Sequence, residues 1–181
     1  MSGLGYEETS LPGCFVFRPP VRTDSRGSFV KPFQASVFES MGLEAGFTEQ
    51  YWSVSIRGVI RGLHFQRPPS AHAKLVYCTA GEVFDVVLDL RRDEPTFGHH
   101  TAVSLSGDNG HALYIPQGCA HGFAVLSSEA TMIYSVTSEY DPRNDTGVRW
   151  DSAGIPWPLT HPTVSERDRA LPDFHDLHYP F

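Results

Sequence analysis

A histidine, a lysine and an arginine lie close together in a β-rich stretch of this sequence. Arg61 precedes His64 by three residues, and Lys74 follows His64 by ten. An imidazole is a usable base near neutral pH, an ammonium group can stabilise negative charge on oxygen, and a guanidinium binds anions. On adjacent strands these groups would form a centre for proton chemistry on an anionic substrate. Taken singly, each is more often a structural histidine or a charge at a strand edge, so the interpretation depends on partners elsewhere.

Such partners occur in the second half of the chain. Removing a proton from a carbon next to a ketone requires a base, a group that stabilises the enolate oxygen, and an acid that returns the proton. His64, Lys74 and Tyr134 are of the right types. Asp168 could bind the second nitrogen of His64, fix its tautomer and stabilise the imidazolium. The structural alternatives are a core tyrosine for Tyr134 and a surface helix charge for Asp168.

Metal and nucleophilic sites are less favoured by the pattern. Zinc and iron need three or four ligands, and jelly-roll proteins commonly supply two of them as His-x-His on one strand. That pairing is missing among the nine histidines, since His99 and His100 are consecutive. There is also no Gly-x-Ser-x-Gly motif, and Cys119 is best interpreted as a small buried thiol. The sequence therefore predicts no bound metal and no cofactor.

Composition narrows the class of protein. A chain of 181 residues predicts one domain over residues 1–181 with a sizeable core. The formal net charge of -7 disfavours nucleic-acid binding, so an anionic ligand must meet a local basic cluster. No apolar run approaches the length of a membrane span, and the N-terminus lacks a secretory signal. Three widely spaced cysteines suit a reducing compartment, which predicts a cytoplasmic protein.

Many short β-rich segments, separated by Gly and Pro, predict an all-β sandwich or barrel. The expected strands cover residues 14–18, 27–33, 51–56, 58–64, 73–79, 82–90, 100–105, 112–115, 121–126 and 132–137. The first two are expected to pair across a turn at residues 23–27. A short helix is expected at residues 34–41, and Ser165 resembles the N-cap of another. Strict alternation would place Arg61 and His64 on opposite faces of a strand, so we expect either a bulge at Gly62 or a strand that ends before His64.

Read together, these segments resemble the dTDP-4-dehydrorhamnose 3,5-epimerase family of nucleotide-sugar epimerases. The similarity follows the chain in order over nearly its whole length, which makes it highly specific. The motifs that carry it are Asp24-Ser25-Arg26-Gly27-Ser28-Phe29, Gly58-Val59-Ile60-Arg61-Gly62-Leu63-His64-Phe65-Gln66, Lys74-Leu75-Val76, Asp85-Val86-Val87-Leu88-Asp89-Leu90-Arg91, Pro95-Thr96-Phe97-Gly98, Ile115-Pro116-Gln117-Gly118-Cys119-Ala120-His121-Gly122-Phe123, Tyr134, Trp157-Pro158 and Ser165-Glu166-Arg167-Asp168.

The resemblance implies a metal-free jelly roll of the cupin type with short peripheral helices. It also implies a homodimer in which an N-terminal segment completes the neighbour's pocket, and a nucleotide-diphosphate sugar as substrate. The implied roles, by position, are His64 as base, Asp168 as its partner, Lys74 near the C4 oxygen, Tyr134 as acid on the opposite sugar face, Arg61 on the diphosphate, Arg26 and Phe29 reaching across the dimer, and His121 lining the pocket.

The chain departs from the family pattern where the nucleobase would bind. The family often has Gln and Asn where this chain has Glu49 and Tyr51, and an acidic residue where it has Lys31. A lysine could donate to the acceptor at N3 of cytosine, whereas an acidic group would accept from N3 of thymine. The nucleobase is therefore left open between thymine and cytosine. The simpler interpretation is that Lys31 points to solvent and does not contact the base.

The function implied is a cofactor-independent epimerase of a nucleotide-diphospho-4-keto-6-deoxyhexose, in deoxysugar or surface-polysaccharide synthesis. Inversion of C3, C5 or both is compatible with the sequence. A 3,4-ketoisomerase is the nearest enzymatic alternative, although a base and an acid on opposite sugar faces favour epimerisation. A non-catalytic sugar-nucleotide-binding module is the alternative of another class. Such a module would keep the arginines but would not need His64 and Asp168 together.

Overall fold

The computed structural model describes residues 4–178 and 181, and within them the chain is built mainly from short antiparallel strands. The strands are β1 (Gly5–Glu8), β2 (Phe15–Arg18), β3 (Arg22–Asp24), β4 (Gly27–Phe29), β5 (Glu49–Ile56), β6 (Ile60–Gln66), β7 (Lys74–Ala80), β8 (Glu82–Asp89), β9 (His100–Ser106), β10 (Ala112–Ile115), β11 (Cys119–Val125), β12 (Glu129–Val136) and β13 (Asp145–Gly147). Two short α-helices, α1 (Ala35–Ser40) and α2 (Glu166–Arg169), and a 3-10 turn at Phe174–Asp176 complete the described elements.

Two antiparallel sheets form the body of the molecule. One has the strand order β1-β2-β10-β7-β12-β5, which we call the first sheet, and the second sheet has the order β13-β6-β11-β8-β9. Neighbours in each sheet are mostly distant in sequence, as expected when a chain alternates between two facing sheets. This arrangement confirms the predicted jelly roll of the cupin type, and the helices are short and peripheral as expected.

The core explains why so many strands are apolar on both faces. One buried cluster, including Val76, Val87 and Phe123, draws on strands of both sheets. A second cluster, including Leu63 and Leu88, packs the second sheet against the C-terminal segment. Helix α1 contributes Phe38, whose ring stacks on Phe17 at 4.4 Å, to a third cluster beside the first sheet. Strand β8 is consequently almost entirely buried after Glu82, so the carboxylates of Asp85 and Asp89 cannot be solvated surface charges.

The predicted pairing of the first two strands is wrong. Residues 27–33 were expected to pair with residues 14–18, but β4 ends at Phe29 and pairs with β3 in a separate hairpin. The turn at Asp24 favours this local pairing, because its carboxylate accepts the Arg26 amide hydrogen at 2.8 Å. Strand β2 lies between β1 and β10 instead, since Val16 and Phe17 are buried there. Strands β1, β3 and β13 were not predicted.

The backbone around Gly62 brings Arg61 and His64 to the same side of β6, although strict alternation would place them on opposite faces. Strand β6 carries one extra residue relative to β11, because His64 pairs with His121 whereas Arg61 pairs with Phe123. This is the bulge that the sequence predicted as one of two solutions. Gly62 has a φ of +121°, and a Cβ at this position would lie 2.6 Å from the Gly122 Cα. Only glycine therefore fits here, and both Arg61 and His64 face the same cleft.

Candidate active site

A cleft of about 390 Å³ is lined by strands of both sheets. It collects most of the residues that the sequence singled out, together with several that it did not. The lining residues are Glu49, Tyr51, Ser53, Arg61, His64, Phe65, Gln66, His72, Lys74, His121, Gly122, Phe123, Tyr134, Val136, Tyr140, Asp145 and Arg167. Since β6 and β11 belong to the second sheet and β5, β7 and β12 to the first, groups on opposite walls can face one bound molecule.

His64 and Asp168, 104 positions apart in sequence, form a hydrogen-bonded pair. The His64 Nε2 lies 2.8 Å from Oδ1 of Asp168, and Oδ2 accepts the Gly62 amide hydrogen at 3.1 Å. Asp168 lies in the first turn of α2, where its amide donates to the Ser165 hydroxyl, so the predicted N-cap is confirmed. The cap and the bulge thus fix the carboxylate and the imidazole relative to each other.

The electrostatics of this pair suit a neutral base with an ionised partner. Burial lowers the pKa of His64 below its ordinary value, against the opposing effect of the Asp168 hydrogen bond. For Asp168 burial acts to raise the pKa, but the hydrogen bonds from His64 and Gly62 outweigh it, and the pKa lies below its usual range. An ionised carboxylate can only accept, so Nε2 carries the hydrogen and Nδ1 keeps a lone pair for a substrate proton.

Lys74 is a buried ammonium group behind the base. Its Nζ donates to the backbone carbonyl of His64 at 3.0 Å. Burial lowers the pKa of Lys74 to about 8, although Asp145 and Asp85 partly oppose the shift. A lysine that is still mainly protonated near neutral pH, and poorly solvated, interacts strongly with an oxygen that develops negative charge.

Tyr134 lies on β12, in the sheet opposite His64. Its hydroxyl is 3.1 Å from the Ser53 Oγ, and its ring stacks on Tyr51, directly opposite on β5, with centroids 4.8 Å apart. The His121 ring meets its edge at 6.0 Å. Burial raises the pKa of Tyr134, so the phenol carries its proton at neutral pH. Tyr51 behaves similarly, with a pKa raised by burial to about 12.

A second histidine-carboxylate pair, which the sequence reasoning did not identify, lies deeper in the cleft. The His121 Nε2 is 2.9 Å from both carboxylate oxygens of Asp85, and both side chains are buried. Burial raises the pKa of Asp85, with His121 acting in the opposite direction. The available signal was the acidic residue within the apolar run of β8, because a buried carboxylate needs a partner.

Polar and charged groups surround the opening of the cleft. The Arg61 Nε donates to the Ser55 Oγ at 2.8 Å, while its guanidinium remains exposed. Arg167, beside Asp168 in sequence, pairs with Asp145 at 2.5 Å. Glu49 accepts the Tyr140 amide hydrogen at 2.9 Å, so the carboxylate lies against the aromatic residue at the rim. The cleft thus contains three basic side chains, Arg61, Lys74 and Arg167, together with the carboxylates of Glu49 and Asp145.

Three of the predicted binding residues lie outside this chain's own cleft. Arg26 and Phe29 belong to the β3–β4 hairpin, which forms a separate surface concavity. The Arg26 side chain pairs with Asp24 at 2.6 Å and is 88% exposed. Lys31 follows the hairpin, and its Nζ donates to the Gln34 side chain at 2.8 Å. The fold of one chain does not bring these residues to the cleft that contains His64 and Tyr134.

The described residues lack two features that other classes of protein would require. Within them, no three or more histidine, cysteine, aspartate or glutamate side chains come together in a group able to hold a metal ion. No helix in this part of the chain has the length and apolar character that a membrane span requires.

The fold and the cleft together define a jelly-roll protein in which a His–Asp pair and a tyrosine lie on opposite sheets at one cleft. Known proteins with this sequence pattern identify the family. Residues 8–176 match the family model of dTDP-4-dehydrorhamnose 3,5-epimerase. The chain therefore belongs to the dTDP-4-dehydrorhamnose 3,5-epimerase family, as the sequence motifs indicated.

Individual relatives agree over almost the full length. The dTDP-4-dehydrorhamnose 3,5-epimerase of Shigella flexneri is 42% identical, covering 95% of this chain and 97% of the relative. The protein of that name from Methanothermobacter thermautotrophicus is 43% identical, covering 93% and 94%. A crystal structure of the Legionella pneumophila dTDP-6-deoxy-D-glucose-3,5-epimerase, in complex with dTDP-4-keto-L-rhamnose, has a TM-score of 0.92 at 36% identity and covers 97% and 95%.

Proposed function

We propose that this protein is an isomerase that epimerises dTDP-4-keto-6-deoxyglucose at C3 and C5, in the synthesis of a deoxysugar. The observation that carries the proposal is the placement of His64 and Tyr134 on facing sheets, with one cleft between them. An epimerase must remove a proton from one face of a carbon and return one to the other face. The Legionella relative binds dTDP-4-keto-L-rhamnose, which carries a ketone at C4, next to both carbons.

The proposed reaction proceeds through an enolate. His64 takes the proton from the carbon next to the ketone, and the C–H electron pair moves onto the C4 oxygen. The Lys74 ammonium stabilises the resulting charge, and Asp168 stabilises the imidazolium. Tyr134 then gives its proton to the other face of the same carbon. Arg61 holds the diphosphate, and His121 with its Asp85 partner shapes the inner wall.

Proton NMR of dTDP-4-keto-6-deoxyglucose incubated with the protein in deuterated water tests this function. We expect deuterium at C3 and C5 and inversion at both carbons. Inversion at one carbon would assign a mono-functional epimerase, whereas movement of the carbonyl to C3 would assign a 3,4-ketoisomerase. Binding of the sugar nucleotide without deuterium exchange would indicate a non-catalytic sugar-nucleotide-binding module.

The proposed assembly is a homodimer in which each β3–β4 hairpin reaches the neighbour's cleft. Two features support it. Arg26 and Phe29 are strongly exposed and lie away from their own chain's cleft. In addition, β5 is an edge strand that exposes Trp52, Val54 and Ile56 at alternate positions. An apolar row on a sheet edge promotes association, and a second copy would cover it.

We also propose a cytoplasmic location. The buried cysteines, which form no disulfide, support a reducing compartment.

Mixed dimers of two inactive variants are expected to recover activity. Arg26→Glu damages the neighbour's site, whereas His64→Ala damages its own. A hybrid therefore contains one intact site, because both substitutions fall in the other. After complete subunit exchange half of the dimers are hybrids, each with one of two sites intact, which gives about a quarter of the unmodified activity.

The measurement is the initial rate after the two variants are co-refolded or co-expressed, compared with each variant alone. Mixing Arg26→Glu with unmodified protein gives the dilution control. If the mixed variants show only the sum of their separate rates, Arg26 acts within its own chain or not at all, and the exchanged hairpin is wrong.

We expect the nucleobase of the substrate to be thymine. The Legionella relative binds a dTDP sugar, and the Nζ of Lys31 already donates to the Gln34 side chain at 2.8 Å. Calorimetric titration should show tighter binding of dTDP than of CDP, with little change in Lys31→Glu. A preference for CDP that this substitution reverses would instead support the cytidine hypothesis. A charged hydrogen bond of roughly 1.5–3 kcal/mol would correspond to about tenfold or more in affinity.

The rate of turnover is expected to fall as the pH rises through about 8. The pKa of Lys74 lies at about 8 because the group is buried, so its ammonium form is present below this pH and lost above it. Losing the positive charge leaves the enolate oxygen less stabilised. Measuring kcat against pH for the unmodified protein and for Lys74→Arg tests the assignment. The arginine variant, although slower, should lack this alkaline decline because its guanidinium stays charged. If Lys74→Arg shows the same alkaline decline as the unmodified protein, the decline belongs to another group.

A further inference from the structure

Strand β5 presents three side chains to the catalytic side of the first sheet, and each contacts a functional group. Tyr51 stacks on the Tyr134 ring, Ser53 meets the Tyr134 hydroxyl, and Ser55 accepts from Arg61. The spacing of two residues puts all three on one face, opposite the exposed Trp52 and Val54. The strand therefore supports groups on both the reactive and the anion-binding parts of the cleft.

The Ser53–Tyr134 contact is directional in a way that matters for an acid. Either hydroxyl could donate across the 3.1 Å separation. A phenol has one hydrogen, and it cannot point at Ser53 and at a substrate carbon at the same time. The Tyr134 ring is also held by the stack with Tyr51 and by the edge of His121, so its oxygen has a fixed position. Ser53 itself lines the cleft and is only partly buried, so its hydroxyl can orient to donate.

We propose that Ser53 is a positioning residue that donates its hydroxyl hydrogen to the Tyr134 oxygen, leaving the phenol hydrogen for the substrate carbon and stabilising the phenolate after proton transfer. This inference rests on the proposed function, because it requires Tyr134 to act as the acid. In the transfer, the Tyr134 O–H bond breaks, a C–H bond forms with the enolate electron pair, and the negative charge moves to the phenolate oxygen. The Ser53 O–H bond stays intact throughout.

The surroundings make such a donor necessary. Burial raises the pKa of Tyr134, which disfavours the phenolate, whereas the Ser53 hydrogen bond acts in the opposite direction. A buried oxyanion without a donor is strongly disfavoured. Two other polar side chains contact the Tyr134 ring: Tyr51 stacks on its face, and His121, whose Nε2 is already occupied by Asp85, lies edge to face with it. Within the described residues, the Ser53 hydroxyl is the group that lies within hydrogen-bond distance of the Tyr134 oxygen, and it can therefore stabilise the charge.

Ser53→Val and Ser53→Thr form a matched pair for the test. Both residues are β-branched and suit a strand, and they differ in that valine has a methyl group where threonine has the hydroxyl. We expect the valine variant to invert the sugar carbons about tenfold to a hundredfold more slowly, as for loss of a hydrogen bond to a charged group. Its KM and its rate of deuterium exchange should stay near those of the unmodified protein, because His64 is untouched. The threonine variant should restore inversion.

Ser104→Ala, on strand β9 and outside the cleft, controls for an ordinary serine replacement, and thermal unfolding checks that each variant folds. Ser53→Ala is a further variant should valine prevent folding. Equal inversion rates in the valine and threonine variants, or a parallel loss of exchange and inversion, would overturn the inference. Inversion that survives Tyr134→Phe would refute the proposed acid itself, so the two failures are distinguishable.

Discussion

Deuterium exchange at C3 and C5 is expected to disappear when His64 is replaced by alanine. In the proposed mechanism His64 takes the substrate proton, and its Nε2 is held by Asp168 at 2.8 Å so that Nδ1 keeps its lone pair. General acid–base catalysis contributes typically about 10²–10⁴-fold, so both exchange and inversion should fall by at least that factor. Proton NMR in deuterated water measures the two rates in one sample.

The control for this substitution is His161→Ala, which removes an exposed imidazole that does not line the cleft. It should leave both rates unchanged. Binding of dTDP to the His64→Ala variant should also be retained, since the arginines are untouched. Exchange that remains within about tenfold of the unmodified rate would mean that another group removes the proton, and the assignment of His64 would be abandoned.

The sequence alone suggested which residues to propose as catalytic, but their assembly in one cleft could not be derived from local pattern. Periodicity indicates strands, and it identified most of them to within a few residues. It carries no information on which distant segments meet, and His64 and Asp168 are 104 positions apart. The ordered family motifs supplied that link, and the structure then placed both side chains within hydrogen-bond distance.

The details that the sequence missed arise from tertiary pairing. Asp85 appears as a polar residue on an alternating strand, and only the packing of both faces of β8 shows it to be buried against His121. The stack of Tyr51 on Tyr134 depends on the register of β5 against β12, which alternation does not fix. The error at the β3–β4 hairpin also concerns pairing. Residues 27–29 could pair with the adjacent residues 22–24 or with residues 14–18, and alternation fits both, so it did not show that the local hairpin forms.

The bulge at Gly62 shows how a local conflict in the pattern can itself be informative. Two residues needed on one side of a strand, but separated by an odd number of positions, require an extra residue in the pairing. Glycine is the residue that permits it, since the Gly122 backbone lies too close for a side chain. The sequence thus indicated an irregularity, whereas the choice between a bulge and an early strand end required the pairing of β6 with β11.

Tyr134→Phe is expected to separate two signals that His64→Ala abolishes together. The variant keeps the base, so the substrate carbons should still exchange with deuterium from the same face. Inversion should fall by about 10²-fold or more, because no phenol remains to deliver a proton from the opposite sheet. The stack on Tyr51 should persist, since phenylalanine retains the ring, and the fold should be little affected. Tyr77→Phe, on strand β7 and outside the cleft, removes a hydroxyl without touching the site and should change neither rate. If exchange and inversion decline in parallel in Tyr134→Phe, the tyrosine supports the first proton transfer as well, and the division of labour between the two faces of the cleft is wrong.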